Sequence, residues 1–179
     1  MIKGFKIRLY PTKEQEKLIW EHIYGCRYVW NYMLALQKER YKNNQKYLSS
    51  YDMSNLLPLL KNDGEHDWLK KIGARSQQII CQDLDKAYQM FFKKNNNCPK
   101  FKTKKQAYNS FPIDQESLWF DDKNKAHISK IGKVKFKTDF RLPIGRNNKY
   151  TNGRVILINQ KWYLTFGMEI RDNTPCFNQ

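Results

Sequence analysis

The sequence predicts an α+β protein in which a small antiparallel β barrel carries an inserted unit of three helices. Three observations lead to this class. Residues 4–10 alternate apolar and polar side chains, as a half-buried strand does. Residues 12–94 repeat apolar side chains at helical spacing. From residue 118 onward, short alternating runs are separated by turn residues, which is typical of strands and hairpins.

The first predicted strand, residues 4–10, places Lys6 and Arg8 together on its polar face. A single strand followed by helices has no neighbour with which to form backbone hydrogen bonds. We therefore expect it to pair with the strands at the end of the sequence. The helical unit is then an insertion between the first strand of the barrel and the remaining ones.

The first helix is predicted to begin after Thr12. Thr12 and Gln15 have the spacing of a capping box, in which each side chain accepts a hydrogen bond from the other residue's backbone N–H. Apolar side chains then recur at helical spacing as far as about Lys42. Gly25 interrupts this helix and weakens it by roughly 1 kcal/mol, which indicates a bend or a close helix crossing.

Two further helices complete the predicted helical unit. Residues 49–52 offer caps for a short second helix, but Pro58 falls inside it, so we expect that helix to be kinked or to begin late. Ser76 is the predicted N-cap of the third helix, whose apolar stripe runs to Phe91.

The clearest predicted hairpin joins residues 155–159 to residues 162–170, with its turn at Gln160 and Lys161. We expect the chain to divide into the first barrel strand at 1–11, the helical insertion at 12–94, a basic linker at 95–117, the remainder of the barrel at 118–171 and a tail at 172–179.

Charge is the strongest indication of function. Lysine and arginine number 33 against 17 aspartates and glutamates, which gives a net charge of +16 and a pI near 9.7. Such a balance favours nucleic acid as the partner. An anionic membrane surface fits less well, because the cations lie largely outside any amphipathic helix, and no run of residues is apolar enough to span a membrane. The N-terminus has no secretory signal pattern, so we expect a cytoplasmic protein.

The stretch from Phe91 to Phe111 concentrates this charge. It contains six lysines, no acidic residue and five aromatic rings, among them Phe101. Cations alternating with flat rings suit backbone phosphates and the bases they carry. A solvated basic loop between two structural elements is the alternative interpretation. The candidate phosphate contacts in this stretch are Lys93, Lys94, Lys100, Lys102, Lys104 and Lys105.

The predicted barrel strands and their loops are also basic. Between Lys123 and Arg154, ten basic residues occur with a single acidic residue, Asp139. Lys133 and Lys135 alternate along one predicted strand, and we treat them as further candidates for phosphate contacts.

No catalytic or metal site is readable from the residues. Asp83 and Asp85 are two positions apart on a helix and do not face each other. Neither a nucleophile–base arrangement nor a glycine-rich phosphate loop occurs. We therefore predict no enzymatic activity and no cofactor. The cysteines are far apart and form no C-x-x-C pair, so we expect reduced, unmetalled thiols at Cys26, Cys81, Cys98 and Cys176.

Several motifs, in this order along the chain, resemble one protein family. They are the K-x-x-x-x-R-L-Y-P-T-x-x-Q pattern from Lys3 to Gln15, the R-Y-V-W-N run from Arg27 to Asn31, and the segments at 77–78, 83–88, 91–93, 99–102, 131–135 and 161–164. Together they resemble the N-terminal half of TnpB/OrfB proteins. These are insertion-sequence accessory transposases, understood as RNA-guided nucleases related to type V CRISPR effectors.

The resemblance implies a wedge-like β barrel with a helical recognition insertion, once described as a helix-turn-helix. Together they would hold a structured guide RNA and read the short DNA motif beside the target, in the cytoplasm or nucleoid of a prokaryote. The implied motif readers are Tyr51, Gln77, Gln78 and Ser110, because such side chains hydrogen-bond bases or phosphates. An ordinary helix cap or a solvated position is the alternative for each.

The candidate nucleic-acid contacts combine the basic residues with those implied by the resemblance. They are Lys6, Arg8, Arg27, Tyr51, Gln77, Gln78, Lys93, Lys94, Lys100, Phe101, Lys102, Lys104, Lys105, Ser110, Lys133 and Lys135.

One feature of the family has no counterpart here. Its RuvC-like nuclease domain follows the last hairpin, and the first catalytic aspartate of that domain lies in a D-x-G motif. Asp172 has no glycine two residues later, and no further carboxylates follow that could hold two metal ions. We therefore expect a truncated TnpB-like module that binds nucleic acid without cleaving it.

Three alternatives stay open. The chain could be a piece of a working RNA-guided endonuclease, with a nuclease domain supplied separately. It could be a transcriptional repressor that binds DNA alone or through a guide RNA. It could also be a remnant without function that folds poorly.

Overall fold

The computed structural model describes residues 1–105, 108–142 and 149–169. Within them, three α-helices and two short 3₁₀ helices, Asp67–Lys71 and Gln115–Ser117, accompany seven strands. The α-helices are α1 (Lys13–Lys42), α2 (Ser50–Lys61) and α3 (Ala74–Phe92). The strands are β1 (Ile2–Tyr10), β2 (Ser110–Ile113), β3 (Leu118–Phe120), β4 (Lys125–Ile128), β5 (Gly132–Lys137), β6 (Gly153–Ile158) and β7 (Lys161–Glu169).

The chain folds as two compact units. The sheet unit contains residues 1–20 and the described residues from Tyr108 onward. The helical unit contains residues 21–105, which include most of α1 and all of α2 and α3. Each unit therefore has its own core and its own surface.

β1 lies in the middle of the sheet, whose strand order is β2-β6-β7-β1-β5-β4-β3. It pairs with β7 from Ile2 opposite Glu169 to Arg8 opposite Tyr163. On its other side it pairs with β5, where Arg8 lies opposite Lys137. All pairs are antiparallel. The predicted α+β class and the predicted pairing of the first strand with late strands are confirmed.

The sheet has two ends. β2 pairs only with β6 and β3 only with β4 among the described strands. The sheet is thus not closed, and the predicted term barrel describes it only loosely.

The inner face of the sheet forms the core of the sheet unit. Ile7 and Leu9 of β1 are each only 1 % exposed and are flanked by buried side chains of the neighbouring strands. The first turns of α1 belong to the same unit, where the Trp20 and Trp162 rings meet edge to face at 5.3 Å. The indole of Trp162 also donates to the Glu16 carboxylate at 3.2 Å. This packing leaves the opposite face of the sheet for the polar side chains.

α1 begins where the capping box predicts. The Thr12 N–H donates to Gln15 Oε1 at 3.0 Å, and the Gln15 N–H donates to Thr12 Oγ1 at 3.2 Å. The helix continues through Gly25 to Lys42. A Cβ at position 25 would lie 2.8 Å from Cγ1 of Ile72. Gly25 therefore permits the close approach of a buried side chain that follows the first 3₁₀ helix.

α2 starts at Ser50, with Ser49 and Asp52 forming a second capping box. Pro58 lies inside it, and the Pro58 carbonyl accepts from the Asn62 side chain at 2.9 Å. Of the two expectations for this helix, a kink or a late start, the late start does not occur, because the capping box at Ser49 places the first turn upstream of the proline.

α3 begins at Ala74, with Gly73 as its N-cap and without a side-chain cap. The prediction that Ser76 is the N-cap is wrong, since Ser76 is a buried residue inside the helix. The Gly73 N–H instead donates to His22 Nε2 at 3.1 Å. A tertiary hydrogen bond thus replaces the local cap.

The last hairpin joins β6 to β7 one residue earlier than predicted. Asn159 and Gln160 occupy the turn with φ values of 48° and 60°, the left-handed pair that a type I′ turn requires. Four residues lie outside the described ones: Arg146, which is one of the ten basic residues between Lys123 and Arg154, Ile170 at the end of the predicted hairpin, Asp172 and Cys176. Of the helices in the described part of the chain, none is long and apolar enough to cross a membrane.

Candidate nucleic-acid interface

The outer face of the sheet is basic and carries aromatic rings. Because side chains alternate along a strand, the residues that lie between the buried positions point to this outer face. Lys6 lies opposite Thr165, which lies opposite Arg154, so three strands contribute to one row. We define the outer sheet face by Lys6, Arg8, Tyr10, Lys133, Lys135, Lys137, Arg154, Tyr163 and Thr165.

The cations in the middle of this face lie over tyrosine rings. The Lys6 Nζ and the Arg8 guanidinium are 5.1 and 5.5 Å from the centre of the Tyr163 ring. Arg8 and Lys137 are similarly 5.1 and 5.4 Å from the centre of the Tyr10 ring. Cation–π contacts of this length orient the side chains without neutralising their charge.

Two predicted residues of the sheet unit, Lys133 and Lys135, lie on β5 and are exposed. Lys133 is opposite His127, which stacks on Trp119 with the ring centres 3.4 Å apart. The Asp121 carboxylate contacts His127 Nε2 at 2.8 Å. Burial acts to raise the pKa of Asp121, but hydrogen bonds from His127 and from backbone N–H groups outweigh it and lower the pKa.

Ser110 is half-buried at the end strand β2. Its hydroxyl accepts from Nε and Nη2 of Arg154, both at 3.2 Å. Gly4, Lys6 and Arg154 line part of an open depression of about 530 Å³ in the same unit. Ser110 is therefore engaged in positioning a cation of the outer sheet face.

In the helical unit, the predicted basic segment lies along α1. The Trp30 indole donates to the Lys100 carbonyl at 3.0 Å. The Asn31 side chain donates to the Lys102 carbonyl at 2.9 Å and accepts from the Lys102 N–H at 2.8 Å. These contacts join two motifs that the sequence presents about 70 positions apart.

Lysines and rings alternate in this region as cation–π pairs. Lys102 Nζ lies 3.8 Å from the centre of the Trp30 ring, Lys38 lies over Phe101 and Lys104 over Tyr24. The Arg27 guanidinium also lies over Tyr24, at 5.6 Å. We call the segment 100–104 and these partners on α1 the clamped basic segment. Lys100, Phe101 and Lys104 are exposed and Lys102 is half-buried.

Other predicted lysines of this unit lie at chain turns. Lys93 caps the C-terminus of α3, and Lys94 follows in a left-handed conformation with φ of 58°. Lys105 lies in a turn at the end of the described segment. All three side chains are exposed and available to a solvent-side ligand.

The residues implied as motif readers fall in different environments. Tyr51 is 74 % exposed in the first turn of α2. Gln78 is half-buried, and its Oε1 accepts from Arg75.

Gln77 is fully buried, and its amide donates to the Leu69 and Ile72 carbonyls at 3.0 and 3.1 Å. It fastens the first 3₁₀ helix to α3 and does not reach a surface. We therefore correct its assignment to a structural role and leave it out of the proposals.

The helical unit also contains an aromatic cluster that was not predicted from the sequence. Tyr28 and Tyr32 stack at 6.2 Å, and Trp68 meets Tyr28 edge to face at 5.1 Å. Tyr24, Tyr28 and Tyr32 are spaced by four residues on α1, which places them on one helix face. That spacing is the signal by which the cluster could have been found.

His66 joins this cluster through hydrogen bonds. Tyr28 Oη and His66 Nε2 are 2.5 Å apart, and His66 Nδ1 is 2.6 Å from the Asp63 carboxylate. The order Tyr–His–Asp resembles a nucleophile with its base. However, burial and the nearby charges of Tyr32, Asp63 and Glu65 raise the pKa of Tyr28, so the phenol keeps its proton. The arrangement braces the loop at residues 63–66 against α1.

Acidic and thiol groups are dispersed. In the described ranges, no group of three or more His, Cys, Asp or Glu residues is placed to hold a metal ion. Cys26 and Cys81 are buried free thiols, and Cys98 is an exposed one.

Comparison with known proteins points to one family. A family described as a helix-turn-helix domain, of the OrfB/IS605 type, matches residues 1–46, which form β1 and α1 here.

Two relatives extend the similarity. "Putative RNA-guided DNA endonuclease InsQ" of Escherichia coli (strain K12) is 28 % identical over 179 aligned positions, covering 97 % of this chain and 42 % of the relative. "Putative RNA-guided DNA endonuclease" of Streptomyces pristinaespiralis is 28 % identical over 106 positions, covering 59 % of this chain and 26 % of the relative. The chain thus spans less than half the length of each relative. The match at residues 1–46 and the similarity to both proteins confirm that the chain resembles the N-terminal region of TnpB/OrfB proteins.

Proposed function

We propose that this chain is a nucleic-acid-binding module of TnpB type, which holds a guide RNA and target-adjacent DNA without cleaving either. The observation that carries the proposal is the clamped basic segment. There, hydrogen bonds from Trp30 and Asn31 hold the backbone while Lys100 and Lys104 remain exposed, with Lys104 over the Tyr24 ring. Ordered cations beside aromatic faces bind phosphates and bases at a smaller entropic cost than a mobile lysine loop does.

The outer sheet face supports the same function. It adds a row of cations around Tyr10 and Tyr163. Contacts of this kind position a nucleic acid by its phosphates and do not by themselves read sequence. We assign the reading of a DNA motif to exposed polar groups of the helical unit, with Tyr51 and Gln78 as the candidates that remain.

The partners follow from the similarity to the two relatives, whose names describe RNA-guided DNA endonucleases. RNA that copurifies with the protein should be sequenced. A single enriched structured RNA supports guide binding, whereas RNA of random cellular composition contradicts it.

Salt titration tests the interface. Wild-type affinity for an oligonucleotide should fall steeply with salt, since each phosphate contact adds roughly 0.7–0.9 to the log–log slope. Replacing Lys100, Lys104 and Lys105 together by glutamine should make the slope less steep by roughly 2.

The control replaces the exposed lysines Lys42, Lys46 and Lys86, which changes the net charge equally in the same unit. Equal slopes for both triple variants would contradict a specific role for the clamped segment.

The absence of cleavage by this chain is part of the proposal. Supercoiled and linear DNA, incubated with the protein, copurified RNA and Mg²⁺ or Mn²⁺, should remain intact. Cleavage that survives further purification would overturn it.

A second candidate is that the chain is the N-terminal part of an RNA-guided endonuclease. The alignment that covers 97 % of this chain but 42 % of InsQ favours it. Reading the gene downstream of residue 179 distinguishes the two: an open frame that encodes a D-x-G motif supports the endonuclease, and a stop codon supports the binding module.

A further inference from the structure

Three cations of the outer sheet face share one site. Arg8 lies at the centre of a row across three strands, opposite Lys137 of β5 on one side and Tyr163 of β7 on the other. Lys6 precedes it by two residues and lies over the same Tyr163 ring. Two tyrosines and three positive charges therefore converge at the middle of the sheet. We call Lys6, Arg8, Lys137, Tyr10 and Tyr163 the Arg8 site.

Like charges directly opposite each other on neighbouring strands destabilise a sheet unless an anion lies between them. Arg8 and Lys137 form such a pair. In the described part of the chain, no carboxylate lies within 4 Å of the cationic groups of Lys6, Arg8 or Lys137. The described residues thus leave this charge uncompensated.

Arg8 also lacks a hydrogen-bond acceptor for part of its guanidinium. Its Nε is buried and has no partner among the described residues. Arginine side chains that are held by a protein for structural reasons normally satisfy such a group. The guanidinium carbon lies over two tyrosine rings, and the Arg8 side chain as a whole is only half-buried, so the remaining guanidinium nitrogens can meet an external acceptor.

We propose that the Arg8 site binds one phosphodiester group of a nucleic-acid backbone. The proposal rests on the proposed function and assigns the central phosphate contact to named residues. A phosphodiester presents two non-bridging oxygens that share one negative charge, and these suit the fork of one guanidinium flanked by two ammonium groups. Tyr10, at 41 % exposure, offers a ring to the neighbouring base. Contacts of this type are independent of sequence, so the site sets register and not specificity.

The first test is the salt dependence of oligonucleotide binding. Arg8→Gln and Lys137→Gln should each make the log–log slope less steep by roughly 0.7–0.9, equally for oligonucleotides of different sequence. Lys123→Gln removes the same charge from the β3–β4 turn and should leave the slope unchanged. Circular dichroism and thermal melts confirm that the variants are folded.

The second test observes Arg8 directly. The ¹H–¹⁵N resonance of its Nε–H should move when the protein binds a short oligonucleotide, because a phosphate bound at the guanidinium changes the surroundings of this group. The same resonance is measured with two other ligands, polyglutamate at equal charge and inorganic phosphate. A larger shift with polyglutamate would identify an acidic peptide as the ligand, and a shift with inorganic phosphate alone would identify a free anion. Either result overturns the proposal.

Different results would contradict the proposed function and the Arg8 site. If the wild-type protein binds no oligonucleotide in dilute buffer, the proposed function is wrong. If it binds with a steep salt slope that Arg8→Gln leaves unchanged, and the Arg8 resonance does not move, only the Arg8 site is wrong.

Discussion

The Asn31 carboxamide forms two hydrogen bonds with the backbone of Lys102, one to its carbonyl and one from its N–H. A strand neighbour would satisfy the backbone in the same way. One side chain of α1 thus replaces a β partner for a segment that belongs to no strand. This contact turns a basic loop into a positioned surface, and it explains how lysines of the segment come to lie over rings of α1.

Asn31→Ala should therefore loosen the clamped basic segment. Removing two hydrogen bonds costs about 1–3 kcal/mol of unfolding free energy, measured by urea denaturation. Trypsin should then cut at Lys100, Lys102 or Lys104 sooner than in the wild-type protein. Asn97→Ala, at an exposed position of the same unit, serves as the control. Unchanged proteolysis of the Asn31 variant would show that the segment is held by other contacts.

Gln77→Leu should destabilise the helical unit, because the Ile72 carbonyl loses its side-chain donor and the Leu69 carbonyl keeps only the Ile72 N–H. One unsatisfied buried carbonyl costs roughly 1–3 kcal/mol. Gln78→Ala on the same helix should change stability little.

Oligonucleotide affinity of the folded Gln77 variant should equal that of the wild-type protein. Should that variant melt normally and yet lose binding, Gln77 would be a reader after all.

Gly25→Ala should destabilise α1 even though alanine is the better helix former. The new Cβ would lie 2.8 Å from Cγ1 of buried Ile72, and such overpacking costs about 1–3 kcal/mol against a gain of about 1 kcal/mol from helix propensity. In the Ile72→Ala background the same change should become neutral or stabilising. A thermal-melt double-mutant cycle without coupling between the two positions would contradict the close packing.

Asp121→Asn should destabilise the sheet unit relative to the wild-type protein. This loss of stability should be larger at neutral pH than in acid. Burial acts to raise the pKa of Asp121, but hydrogen bonds with His127, Lys125 and Lys123 lower it overall in the folded state.

A lowered folded pKa stabilises the protein fully above the unfolded value of about 3.9, and the stabilisation is lost as pH falls through the folded pKa. The difference in melting temperature should thus narrow in acid. A difference that stays constant across this range would assign the loss to packing and not to charge.

Local elements were predictable because their causes lie within a few residues. The Thr12–Gln15 capping box and the alternation along β1 appear in the sequence and in the structure. Ser76 has the right residue type for a cap, yet α3 starts earlier because Gly73 donates to His22, a contact that spans 51 positions. Tertiary hydrogen bonds can replace local caps, and the residues near the cap do not predict them.

For the candidate site, the sequence predicted which residue types would form it but not which residues would contact one another. The run of lysines and rings from Phe91 onward indicated a basic surface, but its residues gave no sign that Trp30 and Asn31 would hold it. Gln77 and Gln78 are adjacent and chemically identical, and only packing distinguishes the buried one from its neighbour.

By itself, the sequence determined the positive charge, the helical and strand periods, and the family resemblance, since each is a property of residue types and short spacings. Only the tertiary structure decided which cations share a site. Arg8, Lys137 and Tyr163 meet because the register of β5 and β7 on β1 brings distant positions to one row. Strand register follows from the fit of the whole buried face, so no single stretch of the chain contains it.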